Sequence, residues 1–107
     1  MKKVYISGPI TGKRNLNRAA FESAAGTVSG LGLAPINPHD LCEPEWDWSK
    51  CMRADIAGLC ECDAILMLKG WRHSKGARLE MYIASELGLR VIKTMGQLEK
   101  YVNEVAG

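Results

Sequence analysis

Apolar residues fall along this chain in two rhythms, short unbroken runs and longer stretches at helical spacing, and the two alternate. Residues 4–7 are a short run that stops at Gly8-Pro9, as a buried strand ending in a sharp turn does. Over residues 16–31, Ala20, Phe21, Ala24, Ala25, Val28 and Leu31 recur every three or four positions, and Gly30 and Gly32 bracket the exit. That spacing predicts a helix with one apolar stripe. Residues 33–37 predict a second short strand closed by Pro38, a residue that would interrupt the ladder of a central strand. After a loop over 39–47, Asp47 or Ser49 can cap a helix buried through Met52, Ile56 and Leu59. Residues 64–68 form a nearly continuous apolar run after Asp63, the pattern of a strand covered on both faces. Residues 76–87 return to helical spacing through Leu79, Ile83 and Leu87, with Gly88 as C-cap. A strand over 90–93 and a helix over 96–105, apolar at Leu98, Tyr101, Val102 and Val105, complete the chain.

Four strands separated by helices predict parallel pairing with right-handed crossovers, hence an α/β fold: a three-layer, doubly wound sheet in one domain over residues 1–107. Open sheets of this kind bind ligands beyond the carboxyl ends of their strands. The loops to inspect are therefore 8–15, 37–48, 69–76 and 94–96, which hold most of the unusual polar and aromatic residues.

Composition narrows the partners. The hydrophobic share of 47% and charged share of 24% are those of an ordinary globular protein. No apolar run approaches the ~20 residues of a membrane helix, and Met1, Lys2 and Lys3 lead straight into a strand, so the expectation is a cytoplasmic protein without a membrane partner. A net charge of +2 is too small to suggest a duplex nucleic acid partner, whereas a small anionic ligand stays open. Cys42, Cys51, Cys60 and Cys62 lack the paired CxxC spacing of zinc knuckles, so neither metal nor cofactor is expected. Their expected state is the reduced thiol, with Cys60 and Cys62 packing as small apolar groups near a helix end.

Several residues could carry chemistry. The first loop, SGPITGKRN, offers two glycines for close backbone approach and the charges of Lys13 and Arg14, yet it fits neither GxxxxGK[ST] nor GxGxxG. Glu80 follows Gly76 in the early turns of a predicted helix, where the helix field favours an ionised carboxylate that can attack an anomeric carbon. The plain alternative is a solvated glutamate like Glu86 or Glu99. Asp55 flanks the buried stripe of its helix, an odd place for a carboxyl. Partly desolvated there, it would hold a proton for a departing base, unless it simply pairs with Lys50 or Arg53. Asp63 reads as a strand-edge carboxylate bonding loop amides. Trp46 and Trp48 would share a side if extended and form a stacking platform for a base, or else plug the core or a subunit contact.

Taken together, KVYISGPITG, DIAGLCECDAILML from Asp55 and GWRHSKGARLEMYIASELG from Gly70 resemble the nucleoside 2-deoxyribosyltransferase superfamily over nearly the whole chain, including its 2-deoxynucleoside 5-monophosphate N-hydrolases. The most specific segment is Ser-x-Gly-x-x-x-Glu entering a helix, after a strand led by Asp63. The resemblance implies a flavodoxin-like sheet, usually of five strands where four are counted here. It implies Glu80 as nucleophile at C1 of the deoxyribose, Tyr5 orienting it, and Asp55 contacting and protonating the base. Gly8 and Pro9 would line the sugar, Ile10 next to them is a further substrate-binding candidate, and Ser74 stands where the hydrolases carry a Ser for the phosphate. The hydrolases have an Arg where this chain has Thr11, a role left to Lys13 or Arg14. Family sites are completed by a neighbouring subunit, so a homodimer or larger oligomer is implied, with Thr94 and Met95 in the region that crosses over.

The implied activity is cleavage of the N-glycosidic bond of a 2-deoxynucleoside or its 5-monophosphate through a deoxyribosyl-Glu80 intermediate, resolved by water or a second base. Alternatives are a catalytically silent nucleotide-binding module, or an N-glycosidase acting on another nucleotide such as NAD.

Overall fold

The computed structural model describes residues 1–106. In chain order the elements are β1 (Lys3–Ser7), α1 (Arg18–Gly30), β2 (Ala34–Ile36), α2 (Trp48–Leu59), β3 (Ala64–Met67), α3 (Lys75–Glu86), β4 (Arg90–Ile92) and α4 (Met95–Ala106). Short 3₁₀ turns occupy Arg14–Asn17, Pro38–Asp40 and Trp71–His73. The strands form one parallel sheet in the order β2-β1-β3-β4. This is the flavodoxin-like order, with its reversal between β1 and β3, and the described residues contain four strands and no fifth.

Strand alternation distributes the side chains of β1 between two cores. Val4 and Ile6 join Phe21, Ala24 and Val28 of α1 and Leu98 and Tyr101 of α4 on one face, together with Leu66 and Ile92. Tyr5 joins Ile65, Met67, Leu59 of α2 and Ala77 and Ala84 of α3 on the other. Both faces of β1 and β3 are thus covered, as their continuous apolar runs predict. β2, which carries Pro35 and is followed by Pro38, lies at the sheet edge, where a missing N–H breaks no central ladder. Asp63 accepts from the Lys3 amide at 2.9 Å at the opposite end of the strands from the loops of interest.

Three expectations are corrected. First, α1 begins at Arg18 instead of residue 16, because Asn15, Leu16 and Asn17 all have positive φ and form a left-handed turn ahead of it. Second, the apolar spacing of α3 does not mark its buried face. Ala77, Glu80 and Ala84 face the sheet, while Leu79 and Leu87 are exposed alongside Tyr82, which is 64% accessible. Small alanines let the helix approach the sheet closely, Met81 and Ile83 pack partly buried beside them, and Leu79, Tyr82 and Leu87 are left outside. Third, Cys42 and Cys51 are joined in a disulfide, so not all four cysteines are thiols. The loop between them turns back onto the first turn of α2, bringing the two Cα atoms to 5.2 Å, well within bridging range.

Gly8 is held where the backbones of β1 and the end of β3 converge, with the Leu68 amide donating to Ser7 at 2.8 Å. A Cβ at Gly8 would come within 2.8 Å of Leu68 Cβ, a contact no rotamer change relieves. Gly8→Ala should therefore cost about 1–3 kcal/mol, read as a lower denaturation midpoint at unchanged m-value.

Candidate active site

The carboxyl edge of the sheet opens into a cavity of about 690 Å³. β1 contributes its following loop, Gly8 to Thr11 with Lys13 and Leu16. The loop after β2 contributes Pro38, His39 and the segment around Trp46, and α2 contributes Trp48, Cys51, Met52 and Asp55. His73, Ser74, Gly76 and Glu80 complete the wall.

Glu80 lies at its base, 5% exposed. Its Oε2 accepts from the Tyr5 hydroxyl at 2.9 Å and its Oε1 from Ser7 Oγ at 2.7 Å, both donors being fully buried on β1. Because Tyr5 and Ser7 are two apart on one strand, they project to the same face and hold the two carboxylate oxygens separately. Glu80 sits in the second turn of α3, beyond the first turn where the helix field acts strongly, so the hydroxyls rather than the helix terminus hold the ionised form. That terminus is capped by Ser74, whose Oγ accepts from the Ala77 amide at 3.2 Å.

Asp55 is equally buried and belongs to the inward stripe of α2 with Met52 and Leu59, instead of merely flanking it. Its Oδ1 has no hydrogen-bond partner among the described residues. The reading of Asp55 as an exposed acid paired with Lys50 or Arg53 is thereby excluded. Burial pushes its carboxyl up to about 7. Burial likewise raises Glu80 to about 7, opposed by the Ser7 and Tyr5 hydrogen bonds and reinforced by the charge of Asp55. The two titrate as a pair. Donors stabilise the anion only on Glu80, so Glu80 is the member that ionises first and Asp55 the one that keeps the proton.

Trp48 opens α2 with Asp47 as its cap, the Asp47 carboxylate accepting from the Lys50 amide at 2.8 Å. Trp46 and Trp48 are not extended as a pair. Lys50 lies over the Trp46 ring and Lys75 over the Trp48 ring, each at 4.2 Å, and both indoles line the cavity. Gly76 is packed beside Met52 and Trp48, where a Cβ would meet the Met52 sulfur at 3.2 Å.

Of the residues singled out in the sequence, Glu80, Asp55, Gly8, Pro9, Ile10, Trp46, Trp48, Ser74 and Gly76 line this one cavity, and Tyr5 lies beneath it bonded to Glu80. Arg14 and Met95 do not line it. Arg14 is exposed just before the left-handed turn, and Met95, 50% exposed, borders a separate depression beside Asn17 and Lys69. Lys13 is the first-loop cation that reaches the cavity. Neither Ser7 nor His39 is read from the sequence as part of a substrate site, His39 figuring only as a possible metal ligand beside cysteines whose spacing argues against one. Ser7 is legible as the next inward position of β1 after Tyr5, whereas nothing in the sequence marks His39 as a cavity residue.

Residues 2–93 match the model of a family described as a domain of unknown function, DUF4406. The chain belongs to that family. No curated protein matches this DUF4406 chain in sequence. Among solved structures it is similar to a 2-desoxiribosyltransferase from Leishmania mexicana, with a TM-score of 0.68 and 21% identity. The match covers 85% of the DUF4406 chain and 62% of that structure, so this chain spans less than two thirds of its length. The likeness shows a shared fold.

The raised carboxylates tie stability to pH. A folded protein that keeps a proton which the unfolded chain has lost is less stable as pH rises from the ordinary carboxylate range, 4.5 for Glu80, towards about 7. Glu80→Gln removes the Glu80 share of that dependence and leaves the share of Asp55. Its melting temperature should equal or exceed that of the parent at pH 8, with an advantage on the order of 1–3 kcal/mol that shrinks towards pH 4.

Proposed function

We propose that this protein cleaves the N-glycosidic bond of 2-deoxynucleosides or their 5-monophosphates by double displacement. The observation that carries the reading is a buried carboxylate, Glu80, gripped at both oxygens and set in a cavity of about 690 Å³ that a second buried carboxyl, Asp55, also lines. Glu80 attacks C1 of the sugar as the bond from C1 to the base nitrogen breaks, and Asp55 gives its proton to the departing base. Water, or a second base, then attacks C1 from the vacated side, its proton returns to Asp55, and Glu80 is released. Tyr5 and Ser7 keep the carboxylate aimed between the two steps. The fold shared with a 2-desoxiribosyltransferase supports this reading.

Ser74 supports a phosphorylated substrate. Its oxygen caps α3 while its hydroxyl proton remains free to donate towards an anion, with Lys75 and the uncapped amides of the same helix end alongside. We also propose a homodimer or larger assembly, supported by the apolar side chains that α3 leaves outside, Leu79, Tyr82 and Leu87.

Release of free base from a panel of deoxynucleosides and their 5-monophosphates tests the chemistry. Activity should peak near neutral pH and fall on both sides, because Glu80 must be ionised while Asp55 is protonated. Asp55→Asn should lower kcat by roughly 10²–10⁴ and Glu80→Ala by more. Full activity in Glu80→Ala would remove the nucleophile, and a better kcat/KM for unphosphorylated substrates would remove Ser74 from the phosphate role. For the assembly, sedimentation should find an oligomer that Tyr82→Glu dissociates. A monomeric parent protein would end that part of the proposal.

A further inference from the structure

Two buried side-chain polar atoms lack a partner among the described residues, and both belong to residues lining the same cavity: Asp55 Oδ1 and His39 Nε2. Leaving a buried polar group unpaired is costly, so such atoms point to what a ligand supplies. Asp55 is already assigned to the leaving base. His39 has no role in the mechanism above, yet its ring is held in place. Its backbone amide donates to Asn37 Oδ1 at 3.0 Å, the preceding Pro38 is buried, and the imidazole packs edge-on against Phe21 with ring centroids 4.9 Å apart.

The two residues approach the cavity from opposite layers. Asp55 comes from α2, on the Tyr5 and Glu80 side of the sheet, and His39 rests on Phe21 of α1, on the other side. A ligand that satisfies both must therefore reach across the carboxyl edge of the sheet. Burial, with the neighbouring Arg18 charge second, lowers the imidazole's pKa, so the ring is neutral at physiological pH and suits a neutral polar edge.

We propose that His39 is a specificity residue of this site, its Nε2 hydrogen-bonding the far edge of a purine whose near edge lies against Asp55. The inference rests on the proposed N-glycosidic chemistry and adds the base class. A purine is one fused ring longer than a pyrimidine, and this greater reach is what we assign to a base that must meet unpaired atoms supplied from both layers of the sheet. A purine thus engages both unpaired atoms, and a pyrimidine leaves His39 Nε2 buried and unmatched.

The test compares purine and pyrimidine 2-deoxynucleoside monophosphates in the parent protein, in His39→Leu, which keeps an apolar side chain against Phe21, and in His39→Asn, which keeps a polar atom. Base release gives kcat/KM, and calorimetry on the same substitutions in a Glu80→Gln background gives affinity without turnover. The parent should favour purines. His39→Leu should lower purine kcat/KM and affinity about tenfold, with a much smaller effect on pyrimidines, and His39→Asn should restore part of the ratio. A purine-to-pyrimidine ratio unchanged in His39→Leu, or equal losses for both classes, would overturn the assignment while leaving the glycosidase reading intact. A parent protein that neither cleaves nor binds these compounds would overturn both.

Discussion

Burying a carboxylate in a chain of 107 residues constrains everything around it. Glu80 is inside because α3 presents alanines on either side of it to the sheet, which draws the helix in close. It keeps its hydrogen-bonding capacity because two hydroxyls from a single strand meet its two oxygens. Remove the hydroxyls and the group would meet burial by staying protonated, which is useless for nucleophilic attack. The loops after β1, β2 and β3 then build a cavity above a group whose position is already settled by the core. Such a site is preorganised by packing rather than assembled from mobile loops.

The division of labour between Glu80 and Asp55 follows from their surroundings. Both sit in low dielectric and both rise, but only Glu80 has donors to its charged form. One environment makes the anion tolerable and the other makes the acid persist, so two carboxyls of similar burial acquire opposite tasks. The same logic extends to His39, which burial and the Arg18 charge keep neutral in a cavity lined by both acids and cations.

Much of this was legible in the sequence where pattern and physics coincide. The order of strands and helices follows from apolar runs alternating with helical spacing, and the ligand edge follows from parallel topology. A cap at the start of α2 was readable in Asp47 or Ser49, and the structure uses Asp47. Periodicity misled at α3, where Leu79 and Leu87 read as the core face and the small residues that truly pack were overlooked. The helix spacing alone cannot say which of two apolar faces is covered. The left-handed turn at Asn15 to Asn17 carries no glycine signal, so α1 was drawn too long. The Cys42 to Cys51 link depends on a loop path that spacing does not encode, and His39 depends on which neighbours surround it after folding.

The position of Tyr5 and Ser7 on one strand has a consequence for how this chain tolerates change. Side chains on a strand obey parity, odd positions of β1 facing the helices that carry the acids and even positions facing α1 and α4. Inserting or deleting one residue within β1 would swap the two sets, sending two aliphatics towards Glu80 and two hydroxyls into an oily interior. Length in this strand is therefore under tighter constraint than identity, and an indel of two residues there would be less harmful than an indel of one.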